Sequence, residues 1–209
     1  MVFVFLPLIL LGMDPEIKIT AHVDPYQPNV CRFEVGRPVY ADGSAYFDDR
    51  RRAKDSPLAE KLFAIGGIEA VRISGNEVVL TQAGWEEWKV LAPKAGETIR
   101  SHIRSGEPAV LSEFAARKLP EEQVKTKIQE VFDTLINPAI ANHGGYVRLI
   151  DVKEDRVFLE MGGGCQGCAM SMATLRYGIE TAIRHEVPHV ADILDVTDHA
   201  SGTNPYYTP

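Results

Sequence analysis

Cysteine is scarce in this chain: three in 209 residues, unevenly placed. That excludes a disulfide scaffold. Positive charge is in deficit, with 22 Lys and Arg against 29 Asp and Glu and a net charge of −7. No stretch reads as a basic, aromatic-studded face, so nucleic acid is not an expected partner. Long hydrophobic runs are also missing. Residues 1–12 are uncharged and almost all apolar, yet too short to cross a bilayer, so no membrane partner is expected. They resemble the core of a signal peptide but lack its basic flank and small-residue cleavage site. Met13-Asp14-Pro15-Glu16-Ile17 is a credible start for a folded protein. Residues 1–12 are therefore expected to be a non-native or disordered extension, and the chain to be cytoplasmic.

What remains falls into two blocks and predicts an α+β fold: two small mixed α/β domains joined by a linker. In the first, 13–104, residues 17–23 and 30–35 read as strands around a turn-prone 24–29. Residues 37–40 and 44–47 read as two short strands around Asp42-Gly43. Ser56-Pro57 predicts a capped helix start, with Leu58, Leu62 and Phe63 on one face and Gly66-Gly67 as the stop. Ser74-Gly75-Asn76 predicts a hairpin between 68–73 and 77–81. Leu91, Ala95, Ile99 and Ile103 recur at helical spacing up to Gly106. Residues 105–120, with Gly106, Pro108 and Pro120, read as a linker with some local order.

The second block, 121–198, predicts the order α-β-β-α-β. Glu121-Glu122 suit a helix N-terminus. Val124, Ile128, Val131, Phe132 and Leu135 form an inward stripe. A hairpin follows over 146–152 and 156–161. A helix over 169–184 turns Met172, Leu175, Ile179 and Ile183 inward. Pro188 breaks it, 190–197 is the last strand, and 199–209 reads as a disordered tail.

Between hairpin and helix lies Gly162-Gly163-Gly164-Cys165-Gln166-Gly167-Cys168. This C-x-x-C at a helix start favours thiolates, through unpaired amides and the positive end of the helix dipole. Gly163, Gly164 and Gly167 remove side chains that would crowd a bulky metal centre, and their amides suit its sulfurs. Three chemistries compete. An iron–sulfur cluster normally takes four thiolates; this loop offers two, and a second copy of the chain on a two-fold axis is the simplest source of the others. A cluster held so sparingly suits a carrier that hands it on. A thiol–disulfide oxidoreductase also uses strand, C-x-x-C and helix, but no aromatic residue or proline flanks the pair. Zinc would need His185 and His189, which Pro188 separates. Ala169 after Cys168 excludes haem attachment. Cys31, within an apolar strand, reads as a packed residue. Met172 reads as core, with Met161 and Met170 beside the loop. His22, His102 and His199 read as surface or turn residues.

The second block resembles the NifU-like (Nfu) C-terminal domain, from Asn137-Pro138-Ala139-Ile140 through His143-Gly144-Gly145 and Val152 to the cysteine loop. The first resembles the Nfu N-terminal domain at Pro28-Asn29, Cys31-Arg32-Phe33, Gly36-Arg37-Pro38-Val39 and Ser56-Pro57-Leu58-Ala59. His143 departs from the acidic residue often found before the double glycine. The resemblance implies a non-enzymatic iron–sulfur cluster scaffold or carrier. It implies a [4Fe–4S] cluster, with [2Fe–2S] as the smaller alternative, bound by Cys165 and Cys168 in a homodimer. It further implies an upstream assembly scaffold as donor, apo iron–sulfur proteins as acceptors, and target recognition by the first block.

Overall fold

The computed structural model describes residues 17–25, 27–84, 87–142, 144–163 and 169–197. The apolar extension 1–12, the tail 199–209, His143 and the segment 164–168 lie outside the described residues.

The first block builds an antiparallel sheet of five strands: β1 (Ile19–Val23), β2 (Val30–Val35), β3 (Tyr40–Phe47), β4 (Ile68–Gly75) and β5 (Glu77–Gln82), in the order β1-β2-β5-β4-β3. Alternation along the strands sorts the side chains by face. Cys31, Phe33, Val35, Val71, Ile73, Val78 and Leu80 turn inward, under helices α1 (Pro57–Phe63) and α2 (Trp88–Ser105). Arg32, Glu34, Arg72 and Glu77 belong to the opposite face. Cys31 is fully buried, and desolvation pushes its thiol up to about 11. Gly75 turns the β4–β5 hairpin at φ 55°, and Gly106 ends α2 at φ 72°.

Two expectations change here, and an open one is settled. The two short strands around Asp42-Gly43 are one strand, β3, whose pairing with β4 slips between Tyr40 and Ser44. A bulge at Gly43, φ 139°, absorbs the slip. The segment 105–120 has the expected local order, a short helix α3 (Ser112–Ala115), and it is docked, burying Ala109, Val110 and Phe114 in the first core. His102 is 3% exposed rather than at the surface, because it lies on the inner side of α2. Its Nδ1 lies 3.1 Å from Lys61 Nζ, and burial lowers its pKa.

The second block follows the expected α-β-β-α-β order. Its elements are α4 (Glu121–Val131), running through a π-helical turn (Phe132–Ile136) into α5 (Asn137–Ala141), then β6 (Gly145–Lys153), β7 (Arg156–Gly163), α6 (Ala169–Glu186) and β8 (Asp192–Asp195). β6 and β7 are antiparallel, and β8 runs parallel to β7 on its other side. Val124, Ile128, Val131 and Phe132 enter the core as expected, but Leu135 is 57% exposed and Ile136 takes its place. Pro138 supplies the reason. It has no N–H to donate to the residue four positions back, and its ring crowds that carbonyl. The wide π turn before it adds a residue and shifts the stripe by one.

The two blocks meet along α6. Ile179 and Ile183 pack it onto its own sheet. From the first block, the Tyr46 amide donates to the Pro188 carbonyl at 3.0 Å. Asp48 binds the His185 ring, and Arg52 Nη2 donates to the His185 carbonyl at 2.8 Å.

The Ser56 hydroxyl caps α1 by accepting from Ala59 N at 3.1 Å and donates to the Ala109 carbonyl at 2.6 Å. Both bonds are buried, so Ser56→Ala is expected to cost about 2 kcal/mol of unfolding free energy. Urea denaturation at unchanged slope measures it; a loss below about 0.5 kcal/mol contradicts the double role.

Candidate functional site

Cys165 and Cys168, with Gly164 and Gly167, lie outside the described residues; the structure describes what they hang from. β7 carries the chain in and ends at Gly163, and α6, an 18-residue helix, carries it out from Ala169. The first unpaired amides of such a helix and its positive end face the junction. Negative charge, thiolate included, is favoured there. The side chains of Met170 and Met172 also fall outside the described residues, whereas Met161 is buried in the second core.

The glycines entering the loop have a packing role of their own. Gly162 and Gly163 are the last residues of β7, paired with Tyr146 and Gly145 of β6. A Cβ at Gly162 would collide with the Tyr146 ring, and one at Gly163 with the Gly144 carbonyl. Gly163 and Gly144 both take φ 68°. These residues therefore serve first to bring the ends of β6 and β7 into backbone contact.

Three further contacts fix the strand end. Asn137 pairs like a strand with β6: its Nδ2 donates to the Val147 carbonyl at 3.0 Å, and Val147 N donates to its Oδ1 at 2.8 Å. On the other side of β7, Met161 N donates to Thr197 Oγ1 at 2.9 Å, and that hydroxyl contacts the Met161 carbonyl at 3.2 Å. Arg148 and Glu160 pair across β6 and β7 at 2.5 Å. Asn137, Tyr146 and Thr197 were not singled out as site residues from the sequence. A signal existed for Asn137, because an Asn before Pro at a helix start is suited to bonding backbone outside the helix. The histidines of the zinc alternative are engaged separately, His185 with Asp48 and His189 stacked on Phe114 at 4.1 Å between ring centroids.

Gly163→Ala is expected to cost about 2–3 kcal/mol, since the left-handed backbone and a backbone clash oppose it together. Gly162→Ala meets only the half-exposed Tyr146 ring, so adding Tyr146→Ala should restore much of its loss. The same addition should not rescue Gly163→Ala. Urea unfolding of the four variants tests this, and equal rescue of both glycine variants would contradict it.

Comparison with known proteins follows the two blocks. A family model for the scaffold protein Nfu/NifU N terminal matches residues 23–106, and one for the NifU-like domain matches 128–194. A NifU-like protein of Schizosaccharomyces pombe is 30% identical over 93% of this chain and 78% of its own length. A mitochondrial iron–sulfur cluster scaffold homolog of Homo sapiens is 31% identical over 85% of this chain and 72% of its own. NifU-like protein 5 of Arabidopsis thaliana, also named mitochondrial, is 33% identical over 79% of this chain and 63% of its own. The chain thus spans between 63% and 78% of these relatives. The mitochondrial names of the plant, human and fly relatives overturn the cytoplasmic expectation. Acidic composition had carried that expectation, and composition does not encode a compartment. With both family models matched in order along one polypeptide, the chain belongs to the NifU-like (Nfu) family of iron–sulfur cluster scaffold proteins.

Proposed function

We propose that this chain is an iron–sulfur cluster scaffold or carrier, and that its cargo is a [4Fe–4S] cluster held between two copies by Cys165 and Cys168 of each. The observation that carries the reading is a C-x-x-C pair between a braced strand end and the start of a long helix, in the domain order of the family. The names of the relatives support both the cargo and a mitochondrial setting.

The chemistry needs no catalyst. Each transferred iron exchanges one Fe–S bond to Cys165 or Cys168 for one to an acceptor thiolate. The proton of the acceptor's thiol goes to the departing thiolate, directly or through water, so neither electrons nor net charge change hands. Thiolate-favouring surroundings hold the cluster, and two ligands per chain leave it open to attack. The buried thiol of Cys31, held protonated by desolvation, stays outside this exchange.

Native mass spectrometry after anaerobic reconstitution with iron and sulfide tests the reading. Two chains plus one four-iron, four-sulfide unit are expected, and Cys165→Ser or Cys168→Ser should each abolish stable cluster retention. Full iron content in either variant refutes the shared site. A metal-free monomer whose pair cycles between dithiol and disulfide would instead establish thiol–disulfide exchange. Removing residues 13–104 should leave reconstitution intact and slow transfer to an apo acceptor; equal transfer rates would refute a delivery role for the first block.

A further inference from the structure

The five-stranded sheet has an inner face under α1 and α2 and an outer face turned toward α6. Register places His22, Arg32, Val79, Arg72 and Tyr46 in one row across all five strands of that outer face. The next row of β2 and β5 brings Glu34 and Glu77. From the other side α6 presents Arg176, Tyr177, Glu180, Thr181 and Arg184. Between them runs a cleft of about 860 Å³.

Charge in the cleft is unevenly met. Arg32 and Arg72 share one carboxylate, Glu77, at 3.3 and 3.2 Å. Arg176 has its own partner in Glu180 at 3.0 Å. Arg184 is 7% exposed, and its Nη1 and Nη2 donate only to the carbonyls of Val190 and Ala191. Among the described residues no carboxylate lies within ion-pair distance of it. Glu180 and Asp192 act from further off, and each is held by another arginine. Burial, reinforced by the like charge of Arg72, pulls Arg184 down to about 10. Tyr46 is 8% exposed and lines the cleft. The Tyr177 hydroxyl reaches only Thr81 Oγ1, at 3.4 Å.

Of the four guanidiniums lining the cleft, Arg32 and Arg72 divide Glu77, Arg176 holds Glu180, and Arg184, the most buried, has no contacting carboxylate among the described residues, with the Tyr46 phenol near it; that corner is where an anion is missing. We infer that the cleft between the first sheet and α6 binds a carboxylate, seated among Arg72, Arg184 and Tyr46. Glu34, Glu77, Glu180 and Asp24 line the same walls, and they disfavour polyanions such as nucleotides. The carboxylate reaches the cleft on a free small acid or on an acidic side chain of a protein segment. Either occupant bridges the first block to the helix that leaves the cysteine loop. This inference goes beyond the cluster-carrier reading and does not depend on it.

The test uses the full chain without cluster, so its outcome is separable from any result on cluster binding. Glutarate and a hexapeptide with one central glutamate are titrated separately by calorimetry, with the glutamine-containing peptide as control. Saturable binding is expected for at least one carboxylate probe and not for the control. Tighter binding of glutarate identifies a free acid as the source, and tighter binding of the peptide a protein segment. Arg72→Gln and Tyr46→Phe should each weaken it about five- to tenfold. Arg184→Gln should abolish it, but that side chain also ties down Val190 and Ala191. The two other variants, checked for an unchanged circular dichroism spectrum, therefore carry the decision. Absence of saturable binding by both carboxylate probes, or unchanged affinity in Arg72→Gln and Tyr46→Phe, overturns the inference.

Discussion

Helix α6 is held from two sides, and most of the architecture follows from that double grip. Its own sheet takes Ile179 and Ile183, the ordinary demand of an amphipathic helix. The first block takes its C-terminal end through Asp48 and Arg52 at His185, and the turn just after it through Tyr46 at Pro188. A helix fixed on one side could still rock on its sheet; one fixed on both cannot move without breaking polar contacts on the other domain. Its first turn begins directly after Cys168. The cysteine loop is thus followed by a helix whose far end is tied to the first block.

The loop's other root is a strand end held by backbone. Gly163 against Gly144, with Gly162 under Tyr146, closes β6 onto β7 more tightly than side-chain-bearing residues permit. Asn137 and Thr197 then supply the pairing that no third strand reaches at those positions. Pro138, one residue after Asn137, forces the π turn that turns Leu135 out and Ile136 in. One dipeptide thus sets the register of the packing helix and anchors the neighbouring strand.

How much of this was legible in the sequence depended on whether the signal was local. Ser56-Pro57, Ser74-Gly75-Asn76 and Gly106 each encode a turn or cap in adjacent residues, and the structure has each where it was read. The stripe through Leu135 failed because a 3.6-residue period assumes an unbroken α-helix. His102 was misplaced because polarity alone suggests the surface, while α2 buries that side. Residues 105–120 were legible as a partly ordered linker, but not as a docked one, because the burial of Ala109, Val110 and Phe114 depends on the distant first core. The cysteine pair was legible as a candidate for metal or redox chemistry because a C-x-x-C motif is local. The outer-face row from His22 to Tyr46 was not, since it exists only once five separated strands find their register.

Thiol accounting links the fold to the proposed activity. Of three cysteines, the fold withdraws Cys31 completely, placing it inside the first core where desolvation holds the proton on. Any centre that demands four thiolates must then recruit two from outside the chain, and a second copy brings its own equivalent pair. Release follows the same arithmetic. At the proposed shared site, an acceptor with thiolates of its own competes against only two per chain, and each exchange loosens both halves of the assembly. Burial of Cys31 thus leaves Cys165 and Cys168 as the thiols available to the proposed carrier, and on that proposal sharing the cluster is the condition for passing it on.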